Sequence, residues 1–399
     1  MDIKFNKQSV VLWLITLYGV NYFLFERVLF FNELLSVLGF FFFIKYSFKK
    51  NFKFYLPRSI IYKCVLGFLF LGLFYAFVSL PFKTNWYYYF RNSSIIYSAF
   101  GFFLGFHLYA YQFNFFKKIR IWIYGYAFLS FGLRWEYLID RNAYTFWFAL
   151  LQKNWKTISV LAFILVNVLY FAAFTSMSVV MILLVILFLR YFVKSYGQFK
   201  LFALAAAVCF IGLFIVAAPY LSLYKNSHWL FGDVLHVYAQ HPLFNIDHNT
   251  SWRLIFWYRM LVESFPQNLI GFGIGTPLLP YTPGVTTSDL PFSDEYISHV
   301  IGAHNTFVTI YVRFGILSLL LFAVIYRSVF REFFFYKKYY LTNHNDSFIF
   351  LSFIALTTVG LFNLLIETPT LAMLYWVSLG FVAKAINNRQ HGNFPVQNL

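Results

Sequence analysis

Apolar residues in this chain neither alternate nor stripe one face of a helix; they come in blocks. Runs of about twenty residues rich in Phe, Leu, Ile, Val and Tyr recur along the whole length, separated by short polar turns. A run of that length makes a helix roughly 30 Å long, the thickness of a bilayer's hydrocarbon core. The blocks predict membrane-crossing helices at 8–25, 28–47, 60–81, 92–113, 119–133, 143–152, 157–173, 175–194, 199–219, 305–327, 347–366 and 369–387. The run at 143–152 is too short to cross unaided and reads as a broken or re-entrant segment. The first run has no small-residue cleavage site and more spans follow it, so it reads as a span and not as a signal peptide. The expected fold is an all-α polytopic membrane protein of about twelve transmembrane helices. It divides into an N-terminal bundle of about nine spans over 1–219, a polar segment over 220–304, and about three C-terminal spans with a tail over 305–399. The middle segment has room for amphipathic helices lying on the membrane surface.

Composition agrees with this pattern. The 399 residues are 61% hydrophobic and 11% charged, with 57 Phe and 31 Tyr, more apolar surface than a soluble domain of this size can bury. The net charge of +17 raises nucleic acid as a partner, but the arrangement of the charge argues against it. Basic residues sit in short clusters between apolar runs: Lys45, Lys49, Lys50, Lys53, Arg58 and Lys63; Lys117, Lys118 and Arg120; Lys153 and Lys156; Arg190, Lys194 and Lys200; Arg327, Arg331, Lys337 and Lys338. With Lys4, Lys7, Lys384 and Arg389 these make up most of the 31 Lys and Arg, all in alternate loops. Such loops face the cytoplasm. Both termini are therefore expected inside, and 220–304 on the far side. Cys64 and Cys209 lie within apolar runs and are expected to pack as small hydrophobes. No internal repeat of the transporter kind is visible.

On a face that should be poor in arginine stand Arg134, Arg141, Arg253 and Arg259. The stretch from Asn249 to Arg259 reads as a helix start, with Thr250 or Ser251 as cap. Arg253 and Trp257, four apart, share a face, and a guanidinium grips phosphate oxygens in bidentate fashion. Lipid-headgroup contact or a structural ion pair is the plainer reading, and Arg259 has Glu263 four residues on. Gly271, Gly273 and Gly275 alternate, but without the strand–turn–helix context of a dinucleotide site they read as a tight turn. His304-Asn305 stands where the polar segment meets the tenth span. A neutral imidazole there can take a proton near physiological pH, and the positive end of the helix that follows disfavours imidazolium. Arg134, Asp140, Arg141 and Asn142 bracket the loop before the short sixth segment. Arg313, two or three turns into the tenth helix, is expected to face the protein interior or a wet cavity. The scattered histidines show no metal-ligand spacing.

Together these residues resemble the O-antigen ligase and polymerase superfamily. The shared pattern is Arg253, Trp257, Pro266, the glycines 271, 273 and 275, then His304-Asn305 at the head of a helix. The family's ligase motif is His-Asn, nine residues and Gly; here residues 306–314 separate Asn305 from Gly315. Three places on, where the motif has Gly, Thr or Tyr, stands Ser318. The match covers roughly 250–320, and the expected topology extends it over the chain.

The resemblance implies a multi-pass protein of the bacterial inner membrane with a periplasmic 220–304 loop. It implies transfer of a glycan from undecaprenyl diphosphate to a lipid A–core hydroxyl or to a second lipid-linked glycan. It implies membrane lipids around the chain, and neither metal nor other cofactor. Arg253 would hold the donor diphosphate and His304 would act as base toward the acceptor hydroxyl or orient it. Arg141, Arg134, Asn142, Arg259, Trp257 and Asn305 would complete the substrate site. One departure stands out: many members carry Ser-Arg at the outer start of the eighth span, and here it reads Thr175-Ser176-Met177-Ser178. A second cation then comes from Arg141, Arg134 or Arg259, or the donor is held differently. Ligase is the leading reading, polymerase the alternative. A protein O-glycosylating ligase and, from another class, a lipid-linked oligosaccharide flippase remain open. A flippase would line the membrane midplane with polar groups, whereas these gather at one surface.

Overall fold

The computed structural model describes residues 31–48, 59–83, 86–109, 185, 188–223, 257, 259–276, 278–280, 299–300, 303, 305–342, 344–362 and 364–390. The expected spans at 8–25, 119–133, 143–152 and 157–173, and twelve of the twenty residues of 175–194, lie outside them. The described fold is helical, apart from a two-residue antiparallel pairing of β1 (Leu279–Pro280) with β2 (His299–Val300). The helices are α1 (Phe31–Ser47), α2 (Ile60–Ser79), α3 (Trp86–Tyr97), α4 (Gly101–Leu108), α5 (Tyr196–Leu223), α6 (Thr306–Phe335), α7 (Lys337–Thr342), α8 (His344–Phe362) and α9 (Pro369–Gln390). A 3₁₀ turn at Ser98–Phe100 joins α3 to α4.

The punctuation of these helices is local chemistry. Ser59 caps α2 by accepting from the Tyr62 amide, and Pro81 follows its last turn. Pro369 opens α9, where its missing N–H costs nothing. Among the described residues two helices, α2 and α6, are long and apolar enough to cross a membrane. Their inward faces build the core. Trp376 of α9, fully buried, stacks on Phe68 of α2 at 5.4 Å between ring centroids, and Phe322 of α6 closes on both. Their outward faces are equally apolar: Phe70, Phe74 and Phe77 on α2 and Ile316, Leu317 and Leu320 on α6 are exposed. A Phe or Leu left in water forfeits about 2 kcal/mol of burial, so such faces suit a non-aqueous surrounding. Cys64 is buried as expected, but Cys209 is exposed on α5, where every residue from 201 to 209 is exposed. Position in an apolar run gives a residue an apolar setting, not a packed one.

The bundle has two chemically distinct ends. At one, the Ser47 and Tyr62 hydroxyls bond and tie α1 to α2. There too Arg389 pairs with Glu332 and lies over the Tyr336 ring, while Lys337 donates to the carbonyls of Leu189 and Val193. This is the end that gathers the described basic clusters. Also there, Tyr109 donates to the buried Asp346, which stands just before the expected 347–366 span.

Burial pushes the Asp346 carboxyl up from 3.8 to about 6, against the Tyr109 hydrogen bond that lowers it. The folded state therefore holds this proton at pH values where the unfolded chain has lost it. The contribution of this carboxyl to stability is greatest below about pH 4, falls as pH rises toward about 6, and is level above. Asp346→Asn is expected to abolish that decline and to add up to about 3 kcal/mol at neutral pH. Thermal melts of the detergent-solubilised protein at pH 4, 5, 6 and 7 check it; a decline unchanged in the variant would refute the assignment.

Candidate functional site

The other end is built around a break in α6. Gly315 takes φ 72° and ψ −174°, a conformation open in practice only to glycine, so α6 is two helical segments meeting at a kink. The kink frees carbonyls that a continuous helix would use. Those of Val312 and Arg313 accept instead from the amides of Phe272 and Gly273, each at 2.8 Å. Ser318 closes the gap from below, its hydroxyl reaching the carbonyls of Ile310 and Gly315.

The segment docked into this break contains the alternating glycines. Gly271 and Gly273 have φ of 101° and 73°. A Cβ at Gly271 would stand 2.6 Å from the Gly315 amide nitrogen and 2.7 Å from the Arg313 carbonyl; one at Gly315 would collide with the carbonyls of Leu269 and Ile270. The tight turn expected at 271–275 is thus a backbone-to-backbone plug, and glycine is required on both sides of the contact. Side chains from four directions hold it. Tyr75 of α2 donates to the Ile270 carbonyl, and Ser79 accepts from the Ile274 amide. Asn92 of α3 donates to the Ile274 carbonyl at 2.9 Å. Asn268 donates to the carbonyls of Met260 and Leu261 and accepts from Tyr311. Arg313, fully buried, donates to the carbonyls of Gly273 and Thr276. Its inward direction was legible from its place in an apolar run; its backbone partners were not.

Above the plug, the head of α6 is tied to two neighbours. Asn305 is its N-cap, accepting from the amides of Phe307 and Val308, and its amide donates to the Leu361 carbonyl at the end of α8. Thr306 donates to Glu367 and accepts from the Leu365 amide. Thr309, one turn on, accepts from the Ala303 amide. Burial pushes the Glu367 carboxyl up from its ordinary value; the polar side chains of Thr309 and Thr306 and the charge of Arg313 pull the other way. On the other flank Trp257, buried, donates its indole N–H to the Ala303 carbonyl at 2.6 Å.

Of the residues singled out from the sequence, Trp257 and Asn305 are placed here, at the two sides of residues 303–305. Both spend polar atoms on holding the site together. Arg259 begins a single π-helical turn, Arg259–Glu263. Arg253, His304, Arg134, Arg141 and Asn142 lie outside the described residues. Ser79, Asn92, Thr306, Thr309 and Glu367 also build this site, though none is among the candidates read from the sequence. Glu367 had a signal: a carboxylate in a short loop between two apolar runs, on the side that lacks basic clusters. Among the described residues no group of three or more His, Cys, Asp and Glu could hold a metal. No family model matches the chain, and no curated protein matches it.

Proposed function

We propose that this protein is a glycosyltransferase of the O-antigen ligase type, embedded in the bacterial inner membrane through about twelve spans with both termini cytoplasmic. It moves a glycan from undecaprenyl diphosphate to a lipid A–core hydroxyl at the periplasmic face. The orientation is supported by the sorting of the bundle's ends: basic clusters at one, which the positive-inside rule turns to the cytoplasm, and the α6 break with its polar partners at the other.

The observation that carries the catalytic reading is the Trp257–Ala303 hydrogen bond. It joins the chain four residues after Arg253 to the residue before His304. In the proposed reaction the acceptor oxygen bonds to the anomeric carbon as the bond from that carbon to the diphosphate oxygen breaks, with inversion. His304 receives the hydroxyl proton, and Arg253 neutralises the departing diphosphate. That leaving group is charged from the start, so fixed positive charge supplies much of the rate.

Lipopolysaccharide from a deletion strain tests this on a gel. Loss of every capped band, with polymer still on the lipid carrier, supports ligase. A single capped repeat would move the assignment to the polymerase, and unchanged ladders would end it.

A further inference from the structure

The plug that holds the α6 break also packs against a cationic rim. Gly275 lies against the α2–α3 turn, where an added Cβ would stand 3.0 Å from the Lys83 Cα. Asn92, bonded to the Ile274 carbonyl, follows Arg91 in the chain. Arg91 is exposed and near enough to the buried Arg313 for their charges to repel. Three cations thus surround residues 273–276. Glu367 answers Arg313 in the interior, but among the described residues no carboxylate pairs with Lys83 or Arg91. Lys83 lies 4.3 Å above the Trp86 ring, and Trp86 stacks on Phe90 at 5.4 Å. With Phe82 these rings are more than half exposed. Exposed aromatics beside unmatched cations are the makings of an interfacial lipid site, rings among acyl chains and charges at headgroup level.

We infer that Lys83 and Arg91 form a binding site for the phosphate of an anionic membrane lipid, beside the plug at the α6 break. Two lipids supply that chemistry: a glycerophospholipid of the outer leaflet, or the polyprenyl diphosphate donor. The inference rests on the outward orientation proposed above and not on glycan transfer.

The test uses the full chain in neutral detergent with geranylgeranyl diphosphate, phosphatidylglycerol and uncharged phosphatidylcholine as probes, binding being read by native mass spectrometry. The two phosphate probes of net negative charge are expected to bind more tightly than phosphatidylcholine, and raised salt to weaken them. The Lys83→Gln/Arg91→Gln double variant should lose about tenfold or more in affinity for them, as removal of charge-assisted hydrogen bonds implies. Arg91→Lys with Lys83 intact should retain much of it. The diphosphate displacing phosphatidylglycerol identifies the donor as occupant; the reverse identifies a structural lipid. Wild-type binding that ignores salt, or a double variant that binds like wild type, overturns the inference. Neither result depends on whether His304 is catalytic.

Discussion

Gly315→Ala is expected to leave almost no folded protein. The φ of 72° with ψ near −174° costs a non-glycine residue about 1–3 kcal/mol in backbone strain. The new methyl would also collide with the carbonyls of Leu269 and Ile270, which are fixed by the plug's own hydrogen bonds. Relief requires the plug to withdraw. Withdrawal would strand the carbonyls of Val312 and Arg313 and remove two acceptors from a buried guanidinium. Each buried polar group left unmatched costs about 1–3 kcal/mol, and more for a charge. Together these exceed what a membrane helix bundle can spare. Fluorescence-detected size-exclusion of a tagged protein is the measure: a collapsed monodisperse peak is expected, and a wild-type profile would show that the break is not needed. Ser318→Ala, which removes only the hydroxyl closing the gap, should cost about 1 kcal/mol and leave the peak intact.

His304→Ala and Arg253→Ala are expected to abolish glycan transfer while the protein still reaches the membrane. Loss of a general base lowers rate by about 10²–10⁴-fold, and a cation lost from a diphosphate leaving group is of similar weight. Membranes from cells carrying each variant should contain protein at wild-type abundance, with glycan polymer accumulating on its lipid carrier. Normal lipopolysaccharide laddering in His304→Ala would refute the catalytic role. Contrast with Gly315→Ala is informative: one variant removes chemistry from an intact fold, the other removes the fold.

Some of this was legible in the chain and some was not, for physical reasons. Block hydropathy located the starts of α2, α6, α8 and α9 within three residues, because burial in an apolar phase depends on run length and composition, but α6 runs on to Phe335, eight residues past the expected end of its span. The inward face of Arg313 was legible because an isolated charge in such a run has nowhere else to go. Gly315 was visible only as a spacing after His304-Asn305. Its backbone angle is set by a segment some forty residues earlier in sequence, and no local pattern announces that partner. The same holds for Gly271 and Gly273, whose alternation looks like a turn until the break in α6 is seen opposite them. The resemblance implies a substrate contact for Asn305. Its position before a long apolar helix also marked it as an N-cap, which is how its side chain is used. Glu367 lies more than sixty residues from His304 in sequence, and it meets the head of α6 through the Thr306 hydroxyl, a contact that no local pattern announces.

Proximity of Arg253 to His304 is the premise of the catalytic reading, and it can be measured without activity. With Cys64 and Cys209 replaced by serine, Arg253→Cys and His304→Cys in one chain should be bridged by a short bis-maleimide. Each single cysteine should react with a membrane-impermeant maleimide added from the periplasmic side. Efficient bridging with periplasmic labelling is the predicted result. Single cysteines that label while the pair fails to bridge, or a thiol reached only from the cytoplasm, would contradict it.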